Sequence, residues 1–310
     1  MRNQSILNEF FLSGLSDLPA VQIPLFLLFL LIYLLTLIFN LLTIVLIVTD
    51  PHLQVPMYFF VGNLAGLDLC YSSVTIPRIL FDLHTKTRKI SIEACITQVF
   101  FFLFFAACED FLLAVMSYDR YTAICQPLHY IQIMSWKVCV QLVSIVYCLS
   151  FTHSLVHSLN ALKLIFCGSD IIESFFCDLP QLFQISCSDI SINVLLVFIL
   201  GGILGFGALT LTIMSYVYIF KAVLKIQTKG NRSKVFSTCN SHLTLLFMNY
   251  GSSIFNYFWQ SAGHHFYGDK GVAIFYTVIL PFLNPFIYSL RNQDFRTAFQ
   301  RVFRRIFPPK

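Results

Sequence analysis

Apolar runs free of Asp, Glu, Lys and Arg alternate with short polar breaks along the chain. They cover residues 18–49, 138–162, 190–220, 235–268 and 271–290. Two more, 57–77 and 94–118, are interrupted only by Asp68 in one and by Glu109 and Asp110 in the other. A helix of about 20 mostly apolar residues crosses a hydrocarbon core of about 30 Å, and every run reaches that length. The pattern therefore predicts an all-α membrane protein, a bundle of seven transmembrane helices. Past the last run, Phe295, Ala298, Phe299, Val302, Phe303 and Ile306 share one helical stripe, with Arg296, Arg301, Arg304 and Arg305 largely elsewhere. This predicts a short amphipathic helix lying on a membrane surface, ended by Pro308-Pro309. The breaks between runs are too short for a soluble domain, so residues 1–310 are expected to form one unit: an outer N-terminus at 1–21, the bundle at 22–290 and a tail at 291–310.

Composition removes the alternatives. Of the 310 residues, 57% are hydrophobic, 34 are Phe and only 11% are charged, against roughly 25% charged in a soluble domain. A disordered chain and a nucleic-acid binder are excluded, because the basic residues sit in short stretches between long apolar ones. Their distribution gives the orientation. With the C-terminus in the cytoplasm, the inner segments hold thirteen Lys and Arg against three acids, and the outer segments seven against nine. The positive-inside rule then puts the N-terminus outside, and a multi-pass place in the plasma membrane is expected. Asn3 in Asn3-Gln4-Ser5 is an outward-facing glycosylation sequon. No cleavable signal pattern is visible, so the first span is expected to serve as the insertion signal.

Ten cysteines divide by location. Cys70, Cys108, Cys125, Cys139, Cys148 and Cys239 fall in spans or at inner edges and read as reduced thiols. Cys95, Cys167, Cys177 and Cys187 face the oxidising side, where four thiols allow three pairings. Four further segments carry a family resemblance. Met116-Ser117-Tyr118-Asp119-Arg120-Tyr121-Thr122-Ala123-Ile124-Cys125 closes the third span, and Pro56-Met57-Tyr58-Phe59-Phe60 opens the second. Ser237-Thr238-Cys239-Asn240-Ser241-His242-Leu243 opens the sixth, and the seventh closes with Pro281-Phe282-Leu283-Asn284-Pro285-Phe286-Ile287-Tyr288-Ser289-Leu290-Arg291-Asn292. In this order they resemble the motifs of vertebrate olfactory receptors, rhodopsin-like G-protein-coupled receptors. Four positions depart from that pattern: Phe39 stands where Gly is usual, Gln54-Val55 where His-Thr is common, and Asn249 where Phe is usual.

The resemblance implies an odorant receptor that binds a small volatile molecule and activates a stimulatory, olfactory-type G protein to raise cyclic AMP. It implies the disulfides Cys95–Cys177 and Cys167–Cys187. It carries a sodium site, the one expected ion, onto Asp68 and Glu109, whose hard oxygens suit such a cation; the alternative is two protonated carboxyls hydrogen-bonded within the bundle. It carries the G-protein switch onto Asp119, Arg120 and Tyr121, with Tyr216, His242, Asn284, Pro285 and Tyr288 as inner-end partners. An Asp119–Arg120 ion pair would hold the inactive state. Pro285 removes one backbone hydrogen bond and frees a carbonyl, making a hinge.

The ligand pocket is expected in the outer half of the bundle. Phe102, Ala106 and Asp110 recur every four residues with Leu103 alongside, while Ser253, Tyr257 and Thr277 offer hydroxyls. Gly201, Gly202 and Gly205 read as a helix-packing surface, and His153 and His157 as polar side chains near the outer end of the fourth span. Asp110 either reads a polar group of the ligand or bonds another span. The seventh run lacks the lysine that a retinal pigment requires, and Phe102 replaces the acid expected of an amine receptor. No nucleophile–base motif suggests an enzyme. An ion channel or transporter using Asp68, Glu109 and Asp110 is the alternative class.

Overall fold

The computed structural model describes residues 9–16, 18–85, 87–167, 170–225, 229–255, 269–289 and 293–306, with side chains of 229–238, 241, 269, 288–289, 293–294 and 302–306 excepted. Four unbroken helices make the first spans: α1 (Pro19–Thr49), α2 (Pro56–Thr85), α3 (Ile92–Cys125) and, after the short inner α4 (Tyr130–Ile133), α5 (Trp136–Ala161). The outer loop holds α6 (Leu179–Ile185). The fifth span joins α7 (Ser191–Leu196) to α8 (Gly202–Leu224) through a π-helical turn at Val197–Gly201. The sixth is α9 (Lys229–Ile254). In the seventh, α10 (Asp269–Ile274) leads through a second π-helical turn into α11 (Leu280–Ser289), and α12 (Gln293–Ile306) follows. Among the described residues, six of these runs are long and apolar enough to cross a membrane by themselves. The sixth span is more polar, with Asn240, His242 and Asn249 along α9.

The helices are sorted by polarity in the reverse of a soluble protein. On α1, Thr36, Asn40 and Thr43 are buried while Leu31, Leu34, Ile38, Leu41, Val45 and Val48 face outward. In lipid a leucine gains little by turning inward, so unsatisfied polar groups decide which face packs. Asn40 shows the mechanism. Pro285 has no N–H to donate to the Pro281 carbonyl one turn earlier, and Asn40 Nδ2 donates to that oxygen instead at 3.1 Å. The carbonyl freed by the proline thus ties α1 to α11. Asn284, beside the proline, donates to Asp68 Oδ1 at 2.8 Å and adds α2 to the same junction. α3 is the central strut: 61% of its most apolar window is buried, against 11% for the fifth span. It packs on α2, α5 and α8.

A small sheet covers the outer end. β1 (Glu9–Leu12) pairs antiparallel with β2 (Lys89–Ser91) and parallel with β3 (Ile171–Ile172), in the order β2-β1-β3. Alternation along β1 drives Phe10 and Leu12 into the core and leaves Glu9 and Phe11 outside. Arg88 and Lys270 anchor the following turn, reaching the Ser13 carbonyl at 2.7 Å and the Gly14 carbonyl at 2.8 Å. Disulfides join Cys95 to Cys177 and Cys167 to Cys187. The Cys177 N–H donates to Gln98 Oε1 at 2.9 Å, which seats the outer loop on α3 and buries Phe175 and Phe176 beneath it.

Candidate functional site: a cavity, an acid pair and an inner cleft

Below that lid lies a cavity of about 130 Å³ between α3, α5, the fifth span and α9. On α3 its wall is Leu103, Ala106, Ala107, Asp110 and Phe111, positions that a helix stacks on one side. Across from them stand Gly201 and Gly205 of the fifth span and Tyr250 and Ser253 of α9. His153 and His157 of α5 close the side, with ring centres 4.5 Å apart. The lining is mostly apolar, and its polar groups are few and specific. The hydroxyl of Tyr250 donates to the Asp110 carbonyl at 2.9 Å. Asp110 Oδ1 and His153 Nδ1 are buried and have no hydrogen-bond partner among the described residues. Among the described residues no group of three metal-binding side chains forms, so the histidine pair is cavity wall.

Several sequence expectations change here. Phe102 does not line this cavity. Four residues advance a helix by about 400°, so a stripe of fours drifts about 40° per step, and Phe102 lies about 80° from Asp110. It is buried instead against Tyr71, Phe176 and Tyr276, with ring centres 5.5, 5.1 and 6.0 Å away. Thr277 is also outside the cavity, because its hydroxyl donates to the Ala273 carbonyl of its own helix at 2.7 Å. The glycines are not a packing surface. A Cβ built at Gly201 or Gly205 meets nothing within 4 Å, and at Gly202 only the Phe206 ring at 4.0 Å. Gly201 and Gly205 keep the cavity open, and His153 and His157, read as merely polar, bound it. Tyr257 and Asn3 lie outside the described residues, as does the Tyr288 side chain.

Asp68 and Glu109 face each other across α2 and α3, 1% and 2% exposed. Among the described residues no amide, hydroxyl or cationic donor reaches Asp68 Oδ2 or Glu109 Oε1, and the two carboxyl groups lie within hydrogen-bonding reach of each other. Glu109 Oε2 has the Asn249 amide at 3.5 Å, so the residue that departs from the family pattern acts on this acid. A void of about 20 Å³ adjoins Glu109, enough for one water-sized species. A proton shared between the two carboxyls satisfies them, and with that proton gone their facing oxygens fit a small cation.

At the inner end, no ion pair joins Asp119 to Arg120 among the described residues. Neighbours on a helix point about 100° apart, and Asp119 turns toward α4, where Tyr130 Oη donates to it at 2.9 Å. Burial and the Asp119 carboxylate push the Tyr130 hydroxyl well above the ordinary phenol range, which keeps it a donor. Arg120 turns instead toward Tyr216, Cys239 and His242 and acts on them electrostatically. It is 6% exposed, and its Nε has no hydrogen-bond partner. The Tyr216 hydroxyl and His242 Nδ1 meet at 2.6 Å, joining α8 to α9 beside it. Tyr121 packs on Tyr118 and Tyr218, with ring centres 6.1 and 5.7 Å away.

The family model for olfactory receptors matches residues 29–305. The chain belongs to the olfactory receptor family. It is 46% identical to human Olfactory receptor 5AC2 over 303 residues, 98% of each chain. It is 44% identical to mouse Olfactory receptor 5B21 over 308 residues, 99% of this chain and 97% of that one. Squid rhodopsin superposes with a TM-score of 0.64 over 96% of this chain and 88% of its own, at 19% identity, which establishes a shared fold. This olfactory receptor is therefore a multi-pass G-protein-coupled receptor of the plasma membrane and not an enzyme, and its family takes a small-molecule ligand and a G protein as partners.

The receptor's open glycines give a direct test of the cavity. Gly205→Leu should reach the cell surface at close to the wild-type level, since nothing within 4 Å obstructs its Cβ. The added side chain occupies cavity space, and if the ligand sits there one misplaced methylene in a fitted pocket is worth about tenfold or more. Dose–response curves should shift right by at least that factor for the largest agonists. Unshifted curves would place the ligand elsewhere.

Proposed function

We propose that this receptor binds a small, mostly apolar volatile molecule in the cavity around Asp110 and, through a stimulatory olfactory-type G protein, raises cyclic AMP. The cavity itself carries the reading. At about 130 Å³ it is close to the roughly 150 Å³ apolar cavity that admits a benzene molecule. Its polar groups are gathered near Asp110, Ser253 and the histidines, which suits a ligand with one polar end. The N-terminus is extracellular and the tail cytoplasmic on the charge distribution. The test is a panel of volatiles of graded size on cells expressing the receptor, with cyclic AMP as readout. Compact ligands with one oxygen function should lead the ranking. Asp110→Leu should reach the surface and lose that ranking, with agonists that carry a polar end weakened about tenfold or more. A leucine variant with wild-type ranking and potency would remove Asp110 from ligand reading.

Asp68 and Glu109 would hold a sodium ion that favours the inactive state. Two facing buried acids, with no other donor at Asp68 Oδ2 and Glu109 Oε1 among the described residues, support this. By linkage, a cation bound to the inactive state must weaken agonists as its concentration rises. Raising sodium should therefore shift dose–response curves right, and Glu109→Gln should blunt the shift. A sodium response unchanged by the substitution would take Glu109 out of the site.

A further inference from the structure

A second, larger cavity, about 380 Å³, opens at the opposite end of the bundle between α1, α11 and α12. Phe39, Leu42 and Leu46 of α1 form one wall, Phe286 of α11 the second, and Phe295 and Phe299 of α12 the third. Its size falls in the range of about 300–1,000 Å³ typical of ligand sites. Phe39, which stands where relatives usually have Gly, packs edge-on against Phe286 at 4.5 Å and builds this wall. Phe299 is 45% exposed, so the cavity opens to the outside of the bundle. Water does not fill so apolar a space, and a bilayer offers acyl chains at its mouth.

The charges at the mouth are unequal. Arg301 is held by Asp50, Nη2 to Oδ2 at 2.8 Å and Nε to Oδ2 at 3.0 Å, which fixes α12 to the corner between α1 and α2. Burial opposes ionisation of Asp50, but hydrogen bonds from the His52 backbone and ring and from Arg301 hold its carboxyl below the ordinary range. The anchor is therefore complete at neutral pH and is lost only as acid carries the pH down through that lowered value. Arg296 lines the cavity, lies at the surface, and has no ion pair or hydrogen bond among the described residues. A guanidinium at the rim of an apolar slot matches one molecule in particular, a phosphate ester carrying a long hydrocarbon chain.

We propose that this cavity is a binding site for an anionic glycerophospholipid, with one acyl chain between Phe39, Leu42, Phe286 and Phe299 and the phosphate on Arg296. An anionic headgroup is favoured over a zwitterionic one because it leaves net negative charge for Arg296 and brings no competing ammonium. With the C-terminus inside, the site faces the leaflet rich in such lipids.

The test uses the purified full-length receptor in mixed micelles of phosphatidylserine and phosphatidylcholine with matched chains. Native mass spectrometry should find phosphatidylserine retained several-fold over phosphatidylcholine, and glycerophosphate without chains should not compete. Arg296→Gln should erase the preference, while Lys221→Gln, a basic residue elsewhere on the inner side, should keep it. An equal drop in both variants would show diffuse surface attraction and overturn the site. Leu42→Trp should expel both lipids by filling the slot. Should that variant fold poorly, phosphatidylserine with a photoreactive chain terminus decides the matter on the wild-type protein. Crosslinks should fall on residues 39–46, 286 and 295–300, and crosslinks spread over other lipid-facing surfaces would overturn the proposal.

Discussion

Arg120→Ala should eliminate G-protein signalling while leaving surface expression and ligand binding near wild type. Arg120 sits at the inner end of α3, far along the helix from Asp110 and the cavity, so the ligand should not sense its loss. Folding should not suffer either. A buried guanidinium with no ion-pair partner and an unbonded Nε among the described residues contributes desolvation cost and little attraction, and its removal relieves that cost. If Arg120 is the G-protein contact that the motif implies, its value would lie in what it offers once the ends of α8 and α9 separate and the Tyr216–His242 contact opens. An arginine at the centre of an interface is commonly worth about 2 kcal/mol or more, roughly a thirtyfold loss of coupling as a lower bound. The measurements are agonist-evoked cyclic AMP, cell-surface labelling and ligand binding on the same cells. Parallel loss of binding would contradict the division between pocket and switch.

Cys95→Ser and Cys177→Ser should each strip the receptor from the cell surface, to the same degree, and the double variant should be no worse than either. The bond spans 82 residues of chain, and closing a loop of that length in the unfolded state is worth about 4–5 kcal/mol. That is a large share of the stability of any domain. Breaking it also frees the segment whose Cys177 N–H bonds Gln98 and whose Phe176 packs on Phe102, so the lid over the cavity loosens with it. The Cys167–Cys187 bond closes only 20 residues, worth about 3 kcal/mol on the same reasoning, and its loss should be the milder defect. Surface labelling and thermal unfolding of detergent extracts check both. Additive defects of Cys95→Ser and Cys177→Ser would mean that the two cysteines act through different partners.

Helix number, the tail helix and the family motifs could all be read along the chain, because the bilayer demands them locally. A span must satisfy its own backbone and present about 20 apolar residues, whatever surrounds it. The same holds for the Arg-rich stripe of α12 and for the acids at 68, 109 and 110, conspicuous wherever they fall in an apolar run. The carbonyl freed by Pro285 was equally legible, although its partner Asn40, 241 positions from Pro281, was not. Which side of each helix looks inward was decided by the tertiary structure. In water, hydrophobic periodicity marks the buried face, but in lipid both faces are apolar and the signal fades. That is why Phe102 and Thr277 left the cavity, and why Gly201, Gly205, His153 and His157 entered it. The Asp119–Arg120 pair failed for a related reason, since adjacency in sequence separates two side chains around a helix. The strand at Glu9–Leu12 was invisible for another, because its partners, Lys89–Ser91 and Ile171–Ile172, come from distant loops and pairing across such separations leaves no local pattern.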